Sequence, residues 1–369
     1  EKLCSLFALG RNAMYAACLA MGLKDGDEVL TPAFDCDSTL QPFRVLGLKE
    51  VFYRSDPYTF SALIEDIKSR MTPRTRLIHV INHFGMPQPW DDLLELRKEA
   101  GIPIMEDNAY SLFSRFKGKA FGTFGDTAVF SLRKNLPLVN GGMLRINNPA
   151  YSLDKAPEKK GVLHPSEYRR AAKLVLQKTG LDGIVKSVFK SIYSREEAPP
   201  PLCSDPDKGY PDLPARDKIA GEFSIDNLRP ISPMASSRLT DFTEEYFGKL
   251  SDKKRYYYGL LSKELSGLKG VTVLWPEIDK ETVPYFFSFL VESRRDEFLN
   301  VLRKRYDVIA WPTLSQGVLD NIAEYPEVTL LGRKLLQLDL PSDKVTEKSF
   351  SSYIDNFIRD VSMLSDKYL

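Results

Sequence analysis

The chain has almost no net charge: 51 lysines and arginines face 50 acidic residues, a formal +1 over 369 residues. That balance leaves no electrostatic case for a nucleic-acid partner or a strongly acidic one. Histidine is scarce, with only His79, His83 and His164. Their scarcity argues against an imidazole-rich metal centre and against a Ser/His triad, so no metal is expected. The cysteines Cys4, Cys18, Cys36 and Cys203 lie scattered, without metal-ligand spacing and too few for a disulfide scaffold. A reducing cytoplasm suits them best. Long apolar runs are missing as well: Met14 to Leu23 is the longest, and a bilayer span needs about 20 residues. Gly122 to Asp126 (GTFGD) reads as a glycine turn, because no strand-to-helix GxGxxG surrounds it. The chain opens at Glu1 rather than Met, which leaves room for a native segment ahead of it.

What is present is an ordinary globular composition, 43% apolar and 27% charged, in a chain long enough for two domains. Over the first 150 residues helix-like and strand-like segments alternate. Helices are expected at Asn12–Gly22, Ser38–Leu46, Phe60–Ser69 and Pro89–Glu99. The strands that follow them read DEVLTP, EVFYR, RLIHVIN and IPIME. This order predicts a mostly parallel sheet covered on both faces, the α/β class. Such sheets bind ligands beyond the carboxyl ends of their strands. There the sequence places Phe34, Asp35 and Cys36; His83, Phe84 and Gly85; Asp107, Asn108, Ala109 and Tyr110.

A fifth run, TAVFSL (Thr127 to Leu132), stops at Arg133-Lys134-Asn135. Pro137 blocks continuation, and Gly141-Gly142 turns the chain into MLRIN. A poorly hydrated lysine at a strand end favours its neutral, nucleophilic form. Gly10-Arg11-Asn12 opens the first helix, where free N–H groups and the helix dipole attract phosphate. A lysine for an imine, an acid for a pyridinium nitrogen and a helix N-terminus for a phosphate describe a pyridoxal 5'-phosphate site. Singly, each residue has a plainer reading. Asp107 alone would more often be a helix N-cap. His83 fits a structural role in an apolar setting, Cys36 a small core residue, and Ser131 either a phosphate contact or a strand cap.

The motifs GLKDGDEVLTPAF, MTPRTRLIHVINHFG, GIPIMEDNAYS, GKAFGTFGDTAVFS and RKNLPLVNGG stand in order from about Gly10 to Asn147. Together they resemble the DegT/StrS-type sugar aminotransferases, a branch of the fold-type I pyridoxal phosphate enzymes. The resemblance implies that Lys134 carries the cofactor and Asp107 pairs with its ring nitrogen. It further implies that Gly10, Arg11, Asn12 and Ser131 surround the phosphate. Cys36 falls where relatives commonly stack an aromatic ring, and Tyr110 where they commonly place a glutamine. Arg11 stands where a threonine is usual, and the Ser131–Lys134 segment is two residues shorter than in most relatives. Family members are homodimers that move an amino group from glutamate to a nucleotide-linked keto-sugar for surface-polysaccharide or glycoside synthesis. Other readings are a reaction of the same fold on a different carbonyl substrate, and a catalytically silent binding or regulatory relative.

The rest of the chain departs further. Residues 1–233 are expected to form the cofactor-binding large domain, with a basic helical insertion at about 151–230. Residues 234–369 are expected to form a smaller α+β domain. Glu167 to Tyr193 reads as one or two helices with an apolar face at Leu181, Ile184, Val185, Val188, Phe189 and Ile192. From Lys159 to Arg195 nine basic residues face two acidic ones. Membrane-surface contact fits that stretch less well than packing over the active site or a second subunit. Glu197 to Pro214 is a proline-rich loop, and the family's phosphate-binding asparagine motif is not recognisable at Asn227 to Pro233. A helix at Ser236–Leu265, strands VTVLW and PYFFSFLVE, a helix at Arg295–Arg305, the strand VIAWP and a helix at Thr346–Leu364 complete the smaller unit. Trp311 reads equally as core or as part of a loop that closes over substrate.

Overall fold

The computed structural model describes residues 4–154, 161, 163, 167, 168, 170–172, 174, 228–311, 313–340 and 347–369. The basic amphipathic stretch, the proline-rich loop and Asn227 fall outside the described residues almost entirely.

The alternating first part folds into a seven-stranded sheet. Its strands are β1 (Cys4–Phe7), β2 (Glu28–Pro32), β3 (Lys49–Tyr53), β4 (Thr75–Ile81), β5 (Ile104–Asn108), β8 (Thr127–Phe130) and β9 (Gly142–Ile146). The short hairpin β6 (Arg115–Phe116) and β7 (Lys119–Ala120) lies apart. The order is β1-β9-β8-β5-β4-β2-β3, parallel from β8 through β3 and antiparallel at β1 and β9. Burial on both faces explains the near-continuous apolar strands. Val29, Leu77, Met105 and Val129 pack into one cluster with Ala13, Met14 and Ala17 of α1 (Gly10–Ala20). Leu30, Ile78, Val80 and Ile104 face the other way, against Ile67 of α3 (Ile64–Arg70) and Trp90 and Leu93 of α4 (Trp90–Ala100). Helix α2 (Asp37–Val45) packs beside α1.

Local chemistry moved several boundaries. The third helix begins at Ile64 rather than Phe60, since Phe60 has φ 57° and a left-handed residue cannot enter a helix. Strand β5 runs on through Asp107, so this aspartate caps no helix. The run after Phe130 leaves the sheet early, and Lys134 sits on a single helical turn, α5 (Leu132–Asn135).

After the undescribed segment come α6 (Pro233–Arg238) and α7 (Glu244–Leu265). The sequence suggested one helix here. Thr243 ends that continuity: its extended backbone and its hydroxyl, which accepts from the Tyr246 N–H (3.2 Å), restart the chain as an N-cap. A second, antiparallel sheet has the order β10-β11-β13-β12, from β10 (Val271–Val273), β11 (Phe286–Val291), β12 (Val308–Ile309) and β13 (Leu335–Asp339). Helices α8 (Arg295–Leu302), α9 (Gln316–Leu319), α10 (Pro326–Lys334) and α11 (Glu347–Tyr368) complete it. Its core joins Phe287, Phe289 and Val291 to Tyr258 and Leu261 of α7 and to Ile354, Phe357 and Val361 of α11. Strand β13 went unread because Gln337 interrupts its apolar run. Half of that amide is answered internally: its Nε2 donates to the Ser288 hydroxyl (3.0 Å), while its buried Oε1 has no hydrogen-bond partner among the described residues.

The two sheets meet at a seam made by residues 83–85 and 283–285. The Tyr285 N–H donates to the Phe84 carbonyl (2.7 Å), and the Ser114 hydroxyl donates to the Gly85 carbonyl (2.7 Å). Aromatic rings fill the rest: Phe84 contacts Phe60, Tyr110, Phe286 and Trp311, and Phe60 stacks on Trp275 at 5.2 Å.

Candidate active site

At the carboxyl ends of β5 and β8 lies a cavity of ≈ 100 Å³. Gly10, Arg11, Asp107, Ser131 and Lys134 line it, together with Leu9, Met14, Ser38, Thr39, Ala109, Val129, Phe130 and Arg133. Asn12, Cys36 and Tyr110, also singled out in the sequence, lie outside that lining. Asn12 is buried in α1, and Cys36 ends the loop before α2 with its Sγ 3.1 Å from the Ser38 hydroxyl. Tyr110 approaches from the seam, its ring centroid 3.8 Å from the Lys134 ammonium.

Close backbone approach builds the phosphate-like end. A Cβ on Gly142 would lie 2.1 Å from the Leu9 carbonyl oxygen and 2.7 Å from the Gly10 nitrogen. Glycine there lets β9 run against the start of α1. A Cβ on Gly10 would sit 3.2 Å from the Cβ of Ser131, so helix terminus and serine are neighbours. The Ser131 hydroxyl makes no hydrogen bond to any described residue, and no side chain caps α1. Arg11 is held sideways by a hydrogen bond to Gln41.

At the inner end the Asp107 carboxylate is 4% exposed. Its Oδ1 accepts from the Ala109 N–H (2.8 Å), and its Oδ2 lies 3.4 Å from His79 Nε2. His79 Nδ1 is 2.9 Å from the Thr31 hydroxyl. A threonine donating to Nδ1 would leave the Nε2 proton for Asp107, a tautomer that follows from the network. No motif hinted at this support, because Thr31 and His79 read as sheet interior. Residue alternation on β2 and β4 was the usable signal.

Behind it, Asp35 is buried. Its Oδ1 accepts from the Cys36 N–H (2.6 Å), while its Oδ2 has no hydrogen bond within ordinary geometry among the described residues. Burial raises its pKa to about 7; His79 opposes that rise, Asp107 adds to it, and the Thr39 hydroxyl lowers it last and least. Burial likewise raises the Cys36 thiol, with Asp35 adding to the effect. His83 donates to, or accepts through, no catalytic group: its Nε2 is 3.2 Å from the Phe34 carbonyl, and burial among aromatic rings lowers its pKa to about 4.

Lys134 is exposed by surface area, yet protein groups crowd its amine. Desolvation by that crowding lowers its pKa below the ordinary lysine value, with Cys36 and Asp107 opposing. Solvent reaching the amine through the cavity works against the lowering. The Tyr285 hydroxyl donates to the Lys134 carbonyl (2.9 Å) and pins its turn. The glycine turn at 122–126 serves a different purpose, since the N–H groups of Gly122 (2.6 Å), Phe124 (3.0 Å) and Gly125 (3.3 Å) cradle the buried Glu106 carboxylate. Among the described residues no His, Cys, Asp and Glu are grouped to hold a metal, and no helix is long and apolar enough to cross a membrane.

Residues 4–156 match the DegT/DnrJ/EryC1/StrS aminotransferase family. A GDP-perosamine synthase of Escherichia coli O157:H7 is 32% identical over 141 residues, 38% of this chain and 39% of that protein. The match thus spans about two fifths of that relative. In structure the chain resembles DesV of S. venezuelae, with a TM-score of 0.67 at 17% identity over 98% of this chain and 84% of that one. It also resembles Spr1654 of Streptococcus pneumoniae, described as a putative sugar aminotransferase in its PLP-form. There the TM-score is 0.67 at 15% identity, over 99% of this chain and 88% of the other. The fold is that of these aminotransferases.

Proposed function

We propose that the chain is a pyridoxal 5'-phosphate-dependent aminotransferase moving an amino group from glutamate to a nucleotide-linked keto-sugar. The observation that carries this reading is a single cavity faced by an amine, Lys134, and a buried carboxylate, Asp107, beside the start of α1. The donor set fits the cofactor. Gly10 and the unengaged Ser131 hydroxyl offer a phosphate cradle, Asp107 a proton holder for a ring nitrogen, and Lys134 a nucleophile for an aldehyde. When bound, the cofactor supplies an electron sink that lets a Cα–H bond break.

The chain's own residues do the rest. Asp107, fixed by the Ala109 N–H and His79, keeps negative charge where a pyridinium proton must stay. With the cofactor held there, the Lys134 amine would be placed to take a proton from the donor's Cα and, as the ammonium, to return one to the acceptor carbon. Its lowered basicity would serve each step differently, with a larger neutral fraction for the abstraction and a more acidic ammonium for the return. In keeping with its family's habits, the protein acts as a cytoplasmic homodimer in surface-polysaccharide or glycoside synthesis. Residues to 233 form the cofactor domain and those from 234 the smaller one.

The test is a visible absorption spectrum of the protein loaded with cofactor, before and after glutamate, followed by a panel of keto-sugar nucleotides. The parent is expected to be yellow, to bleach with glutamate and to recover with one acceptor. Lys134→Ala should lose both the shift and turnover, by about 10²–10⁴-fold or more. A variant that behaves as the parent does would overturn the assignment.

A further inference from the structure

Arg133 precedes the reactive lysine on α5 and contributes to the cavity wall. It is half-buried, and its guanidinium makes no hydrogen bond or ion pair with any described residue. Next to it lies Arg170, whose Nε donates to the Leu138 carbonyl (2.7 Å) and whose Nη2 donates to the Arg133 carbonyl (2.5 Å). Arg170 therefore spends its donors on backbone oxygens, and no acid neutralises it among the described residues. Each cation is felt by its neighbours: Arg133 opposes protonation of both Arg170 and Lys134. The acids of the site are elsewhere. Asp107 is occupied by His79 and the Ala109 N–H, and Asp35 lies behind it. Among the described residues, the cavity thus has an acidic inner end and a cationic wall without a counter-ion.

Two like charges held together without a counter-ion cost free energy that an arriving anion would recover. A planar guanidinium with unused donors is the group best shaped to take a carboxylate or phosphate through paired hydrogen bonds. We infer that Arg133, backed by Arg170, is a substrate-anion subsite that holds an anionic oxygen group of a reactant at the lysine. That group is either the carboxylate of the amino donor or the diphosphate of the nucleotide-linked acceptor. The inference rests on the reading of the cavity as the amino-transfer site, and it assigns what that site grips beyond the reacting carbon.

The experiment is calorimetric titration of the cofactor-loaded protein with two unreactive probes, glutarate for the donor and GDP for the acceptor. Because the Arg133 side chain makes no hydrogen bond or ion pair with any described residue, Arg133→Gln should fold and keep the cofactor spectrum. The expected result is an affinity for at least one probe lowered about tenfold in Arg133→Gln, as loss of one charge-assisted contact implies. Arg133→Lys should restore part of it, and added salt should weaken the parent more than the glutamine variant. A loss confined to glutarate assigns the donor, a loss confined to GDP the acceptor, and a loss of both one subsite serving each half-reaction. Unchanged affinities for both probes, or a parent that binds neither, would overturn the inference. A parent that takes up no cofactor would instead defeat the aminotransferase reading, and the same titrations on that protein would still report on Arg133.

Discussion

Asp35 shows how a single buried residue couples this site to pH. Its pKa rises from an ordinary 3.8 to about 7 in the fold, so between those values the folded chain holds a proton that the unfolded chain has released. Stability from that proton is full below pH 4 and is lost as pH climbs to 7. His83 works in the opposite sense. Its pKa falls from 6.5 to about 4, so the unfolded chain binds the extra proton and stability is lost as pH drops through that range. The two slopes oppose each other in the parent. Asp35→Asn keeps an oxygen for the Cys36 N–H and removes one slope. It should leave stability near pH 4 little changed and raise it by on the order of 2–4 kcal/mol above pH 7. Denaturant titrations at a series of pH values check this. A stability difference from the parent that stays flat from pH 4 to 7 would mean that Asp35 is not held neutral.

At the scale of elements, the site depends on how β9 meets the start of α1. Gly142→Ala would drive a methyl into the Leu9 carbonyl, 2.1 Å away. Separating the two elements should cost about 1–3 kcal/mol or more and lower cofactor affinity even in the protein that still folds. Thermal unfolding and cofactor titration read the two effects separately. The same junction marks what sequence could and could not disclose. The strands β2, β4, β5 and β8 were legible because burial on both faces leaves apolar runs bounded by turn residues. The helix-strand alternation placed their carboxyl ends, and hence Asp107 and Lys134, at one edge. Register and side-chain partners were not legible. No spacing rule pairs Thr31 with His79 and His79 with Asp107, since those contacts exist only once β2, β4 and β5 lie side by side. Arg133 was hidden beside the lysine, since an arginine with no side-chain partner among the described residues looks like any surface arginine until its surroundings are known. Tyr110 and Cys36, nominated by position, proved to stand around the lysine rather than along the cavity wall.

At the scale of the molecule, the two sheets are joined where the chain after β4 is hydrogen-bonded to the chain before β11. Gly85 has φ +95°, and a Cβ there would lie 2.1 Å from the Val283 carbonyl oxygen. Gly85→Ala combines left-handed strain with a backbone clash and should cost about 2–5 kcal/mol. Calorimetry should show its loss in the main unfolding transition, with the seam's aromatic fluorescence changing in step. A variant as stable as the parent would show that the seam is not what joins the sheets. Through Tyr285, which donates to the Lys134 carbonyl, the seam also steadies the turn that carries Lys134. One amine in this cavity, Lys134, is the proposed point of attachment for the cofactor. A second lysine, Lys254, is buried under the Tyr285 ring (4.9 Å) and off the cavity wall, with its pKa lowered by burial to about 8. Borohydride reduction of the cofactor-loaded protein, followed by digestion and peptide mass analysis, tells the two apart. A pyridoxyl addition is expected on Lys134 alone; an addition on Lys254 or any other lysine, with Lys134 unmodified, would contradict the assignment.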